Sequence, residues 1–233
     1  MKRGQVTLFI IIAIVILFLF VWLFSMMWGS KGEMPEDQQA VFNYVSSCLK
    51  QVGEDSLVVF GKQGRLEHSN MYEPLNLEYY YDGASRVPRN EDVEIELARY
   101  VDDRLGQCIN DFSGFPVLNF TYISAPDSSV SIGADDITFD LKYLVKFEKE
   151  FTEYILEDYS VKLDVPISQY LYSAEHWVNY YMQHGAIDAS YELNGLRRLE
   201  VHQHESVLVL GLFDNSTLVA GEPYLISWAM AAS

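Results

Sequence analysis

Positive charge is scarce in this chain: 16 Lys and Arg stand against 33 Asp and Glu, and two of the 16, Lys2 and Arg3, sit at its start. A protein that neutralises phosphates needs clustered Lys and Arg, so the shortage excludes nucleic acid as a partner. It also disfavours a peripheral grip on anionic lipid. Cysteine is equally sparse. Cys48 and Cys108 are the only two, and they lack CxxC spacing and a neighbouring histidine, which argues against zinc or redox chemistry. The nucleophile, phosphate-loop and dinucleotide signatures GxSxG, GxxxxGK[ST] and GxGxxG are missing, as is HExxH. These absences lead to the expectation that the chain is not an enzyme and holds no cofactor.

What the sequence does have is one long apolar run. Val6 to Trp28 is interrupted only by Thr7 and Ser25. As a helix at about 1.5 Å per residue it would extend about 35 Å, against a hydrocarbon core of about 30 Å. A cleavable secretory signal has a shorter apolar region, about 7–15 residues, ending in small residues; Ser25-Met26-Met27-Trp28 is a poor match. The sequence therefore predicts a short basic leader over 1–5, a transmembrane helix over 6–28, a linker over 29–34 and an extracytoplasmic domain over 35–233. Lys2 and Arg3 precede the run, whereas the chain after Trp28 carries a net charge of −19. The positive-inside rule then puts the N-terminus in the cytoplasm, the domain outside, and the lipid bilayer first among the partners.

The domain reads as α+β: two packed helices, an antiparallel sheet and one further helix, with a helical half over 35–115 and a sheet-rich half over 116–233. Val41, Tyr44, Val45, Cys48, Leu49 and Val52 recur at three- and four-residue steps after Pro35-Glu36-Asp37, the pattern of a helix with one buried face. A second helix is expected after Asn90 as N-cap, with Val93, Leu97, Val101, Leu105 and Cys108 on its apolar side. From Ile137 to Phe147 the period falls to two, and it returns from Tyr159 to Val165, predicting a hairpin through 149–152. Ile167 to His184 is helical again, with Gly185 as a stop. Two late strands are expected at about 199–213 and 224–231, with turn chemistry at Asp214-Asn215-Ser216 and at Gly221.

Each cysteine falls on the apolar face of its own helix, and thiols outside a cell tend to be bonded. A Cys48–Cys108 disulfide is thus expected; closing about 60 residues, it would stabilise by about 4 kcal/mol in the loop-entropy treatment. Other candidates carry less chemistry. His202 and His204 alternate on a strand and could start a metal site with Glu205, but a third and fourth ligand are not evident. His176 and His184 are eight apart, too far for a helical zinc pair. The pairs Asp102-Asp103 and Asp135-Asp136 have the residue type for acid–base work but are frequent in so acidic a chain. Tyr79, Tyr80 and Tyr81 offer aromatic rings for a binding surface. Asn119 and Asn215 open the glycosylation signatures Asn-Phe-Thr and Asn-Ser-Thr.

Met1-Lys2-Arg3-Gly4 followed by Gln5-Val6-Thr7-Leu8-Phe9-Ile10 resembles the class III signal peptide of archaeal type IV pilin-like proteins. That resemblance implies cleavage between Gly4 and Gln5, with the apolar helix kept as a membrane anchor or as the packed core of a filament. Many members carry a glutamate five residues after the cleavage point, where this chain has Phe9. The expected role is structural or binding, in the cell envelope, with self-assembly or other envelope proteins as partners. A filament subunit is the alternative and a metal-assisted surface hydrolase the third reading.

Overall fold

The computed structural model describes residues 14–20, 22, 34–64, 66, 78–81, 84–188, 197–204 and 207–231. The chain divides into two compact units, Met1–Gln39 and Ala40–Ser233. In the first, residues 14–20 and 22 are helical; the rest of the apolar run and the leader with Gly4 and Gln5 lie outside the described residues. The helix over 14–20 covers about 10 Å, a third of a hydrocarbon core. Among the described residues no helix is long and apolar enough to cross a membrane. The expected fold class is corrected accordingly: α+β stands, and a transmembrane helix as one of its elements does not.

Helix α1 (Glu36–Gln63) opens with Glu36 and Asp37 in its first turn, where unpaired N–H groups favour negative charge. Val41, Val45, Cys48, Leu49, Val52 and Phe60 form its buried stripe. Two glycines on that stripe let it approach other elements closely. A Cβ on Gly53 would meet the Phe139 ring at 3.3 Å, and one on Gly61 would fall 2.1 Å from the Leu225 carbonyl oxygen, closer than any real Cβ contact. Helix α2 (Asn90–Ile109) is capped one residue earlier than expected. Arg89 is the N-cap, and the Asp92 carboxylate reaches back to accept from its N–H at 3.3 Å, as an acidic third residue of a helix can. Asn110, Asp111 and Phe112 then follow in left-handed backbone conformation.

The strands form two sheets where the sequence predicted one. The first joins β1 (Glu78–Tyr81), β2 (Ala84–Ser85), β7 (Arg197–His204), β8 (Val207–Val219) and β9 (Glu222–Ala231) in the order β2-β1-β9-β8-β7. Its pairs are antiparallel except β1 with β9, which is parallel. The strand expected over 199–213 is thus two, β7 and the first half of β8. Asp214-Asn215-Ser216 is not a turn but an irregularity inside β8, whose register with β9 shifts between Asp214 and Leu218. The reversal comes later, at Ala220 and Gly221, both with positive φ.

In the second sheet β5 (Ile137–Lys149) is central. β6 (Thr152–Leu163) pairs along one side, while β4 (Asp127–Ile132) and β3 (Asn119–Ile123) pair with successive halves of the other. Ile137, Phe139, Leu141, Tyr143, Val145 and Phe147 are all buried, as their alternation demands. Helix α3 (Ile167–His184) lies on the first sheet: Trp177 stacks on Trp228 with ring centroids 5.9 Å apart, and Tyr170 on Tyr224 at 5.3 Å. Gly185 ends it at φ 64°, donating its N–H to the Tyr181 carbonyl. Because α1 touches both β5 and β9, one core links the two sheets.

Candidate functional site

The far end of the β5–β6 hairpin carries Phe151, the most exposed large apolar side chain among the described residues. Glu150 and Phe151 form its two-residue reversal, with φ of 49° and 71°. Left-handed backbone costs a residue with a side chain about 1–2 kcal/mol, and Phe151 recovers none of it by burial, since its side chain is fully exposed. Further along the hairpin, Tyr122, Lys146 and Ile155 are cross-strand neighbours on β3, β5 and β6 and so share a face. Tyr122 and Ile155 are 53% and 50% exposed. The row nearer the tip is polar, Asn119 beside Glu148 beside Glu153. An exposed aromatic tip, with half-exposed Tyr122 and Ile155 beyond the carboxylates, has the chemistry of a contact surface.

Nearer the middle of the same sheet lies a cleft of about 630 Å³, lined by Asp127, Asp140, Lys142 and Asp158 among others. Register places Lys142 between Asp127 and Asp158 in one row, and Asp140 between Ser129 and Ser160 in the next. Such a surface suits hydroxyl-bearing or cationic groups. No cluster of three or more His, Cys, Asp or Glu able to hold a metal ion occurs among the described residues.

Most sequence candidates prove to have structural partners. Asp102 Oδ1 accepts from the Ser128 N–H at 2.9 Å and Glu94 Oε1 from the Ile132 N–H at 2.8 Å, so α2 satisfies the free edge of β4. Burial pushes the Asp102 carboxyl above its usual range, against the pull of its bonds to Ser128. Asp135 accepts from the Gln169 amide at 2.6 Å, and Asp136 holds Lys162 at 2.6 Å; that hydrogen bond raises the Lys162 ammonium. His176 lies 3.1 Å from Asp188, and His184 stacks on Tyr180. His202 is largely exposed, 3.5 Å from Glu200; the side chain of His204 and all of Glu205 lie outside the described residues. Tyr79, Tyr80 and Tyr81 belong to β1, and their side chains are likewise outside them.

Cys48 and Cys108 are joined in a disulfide, Cα to Cα 5.7 Å. Asn119 is exposed on β3 and Asn215 on β8. Sequence reading missed Tyr122, Phe151 and Ile155. Ile155 carried a signal, as an apolar residue between the outward-facing Glu153 and Glu157, but Phe151 had none, because Glu-Phe is not a recognised turn dipeptide. No family model matches the chain, and no curated protein matches it.

Proposed function

We propose that this is an envelope protein held at the lipid bilayer by its apolar N-terminal sequence, with the α+β unit outside the cytoplasm in a structural or binding role rather than a catalytic one. The observation that carries the reading is the Cys48–Cys108 bridge. Such bonds persist in oxidising compartments and are rare in the cytosol. The exposed Phe151, Tyr122 and Ile155 support contact with other envelope proteins as the mode of action.

The test is made on intact cells. Protease added outside should degrade the unit from residue 40 onward, the protein should sediment with membranes until detergent is added, and thiol mapping should find both cysteines oxidised. A unit protected from outside protease, with both thiols free to alkylate, overturns the reading.

A further inference from the structure

Two stretches of the chain carry the same acceptor signature, and the fold treats them oppositely. The signature consists of an asparagine amide and a hydroxyl two residues on, so a transferring enzyme must reach both groups. In the first, Asn119 and Thr121 are both exposed. They lie on β3, which pairs on one side with β5 and with no other described strand. Thr121 falls where the β3 register shifts between Phe120 and Tyr122, so it stands out of the ladder, its hydroxyl donating, among the described residues, only a long 3.4 Å bond to the Lys146 carbonyl. The stretch is extended, at a sheet edge, and open to solvent.

In the second, Asn215 is exposed but Thr217 is 8% exposed. The Thr217 hydroxyl accepts from the Tyr170 hydroxyl at 3.1 Å and donates to Asp214 Oδ2 at 3.3 Å. Ser216 is held as well, its backbone N–H donating to Asp214 Oδ1 at 2.8 Å. Freeing Thr217 would strip one partner from a carboxylate that is 2% exposed, and a buried charge-assisted bond is costly to lose.

We infer that Asn119 is the acceptor of an N-linked glycan in the folded protein and that folding closes Asn215. The inference rests on the extracytoplasmic reading above. In the reaction the Asn119 Nδ2 bonds to the anomeric carbon of a lipid-linked oligosaccharide. The sugar–phosphate C–O bond breaks with its electron pair going to the polyisoprenoid phosphate, and Nδ2 loses one proton to a base of the transferase. Asn119 neighbours Glu148 on the outward face, so the glycan would also shield the open edge of β3, a place where strand addition from another molecule could start.

The full chain, folded and oxidised, is offered to an oligosaccharyltransferase with lipid-linked oligosaccharide, beside the same chain reduced and unfolded, and sites are mapped by mass spectrometry. The folded chain should gain one glycan, at Asn119, and the unfolded chain two. Asn119→Gln should abolish the folded-state product, while Asn215→Gln should leave it unchanged. A glycan on Asn215 of the folded chain, or an Asn119 accepted only after unfolding, overturns the inference. Protein from its native envelope separates the two proposals. Bare Asn119 with Cys48 and Cys108 bonded defeats the glycan alone; bare Asn119 with free thiols defeats the location as well.

Discussion

Tyr159 shows how one atom can work against its own side chain. Its ring is well used, 2% exposed and stacked on Phe42 at 5.2 Å between centroids, yet its hydroxyl is buried and has no hydrogen-bond partner among the described residues. A buried polar group left unpaired costs about 1–3 kcal/mol. Tyr159→Phe keeps the ring and removes the hydroxyl, so it should raise stability by about 1 kcal/mol in urea unfolding; an unchanged or lower midpoint would mean that the hydroxyl finds a partner. The same burial, with Tyr143 nearby, raises the phenol above its ordinary 10.0. The folded state therefore holds that proton more tightly than the unfolded one. Stability should fall as pH climbs past 10, and fall less in the variant.

Helix α2 and strand β4 illustrate an arrangement between elements. An edge strand exposes unpaired N–H groups, and here Glu94 and Asp102, eight residues apart on α2, accept two of them. The Asp102 carboxyl is raised above 3.8 chiefly by desolvation, so its ionised form costs stability above that pH, and the cost disappears as pH falls through 3.8. Asp102→Asn keeps an acceptor oxygen for Ser128 without the charge. It should unfold at higher urea than the native protein at pH 7, with the gap closing by pH 3. Asp102→Ala loses the acceptor and should be less stable by about 1 kcal/mol at pH 7. Equal midpoints for the Asn and Ala variants at both pH values would show that the bond to β4 contributes nothing.

For the domain as a whole, α1 is the element on which the rest converges. It meets β5 through Gly53 and β9 through Gly61, and it is tied to α2 by a bridge spanning 60 residues. Tyr44 adds to that tie, its hydroxyl donating to the carbonyls of Cys108 and Ile109 at the end of α2. Removing the cross-link by Cys48→Ser with Cys108→Ser should cost about 4 kcal/mol, through the entropy regained by the unfolded chain. Urea midpoints of the native and doubly substituted proteins measure it, and a difference below the error of the method would show the bridge to be dispensable to the fold.

Local periodicity made much of this legible in advance. The stripe of α1, the period-two alternation of β5, the Lys149-to-Thr152 reversal and the Gly185 stop each follow from neighbours in sequence, because the side-chain direction repeats every 3.6 or 2 residues. The cysteine pairing was legible for the same reason, since each thiol sits on an apolar face whose position the pattern fixes. The expectations that failed involve partners remote in sequence or structure that composition overstated. Hydropathy alone produced the transmembrane helix. The parallel union of β1 with β9 joins segments more than a hundred residues apart, and the absorption of Asp214-Asn215-Ser216 into β8 depends on pairing with β7 and β9 and on Tyr170 from α3. The sequence by itself determined which faces had to be buried and where charge could lie, because those are properties of adjacent residues. Only the tertiary structure decided that Thr217 is enclosed by Tyr170 and Asp214 while Thr121 stands at an open edge, because enclosure requires atoms that the chain brings from elsewhere.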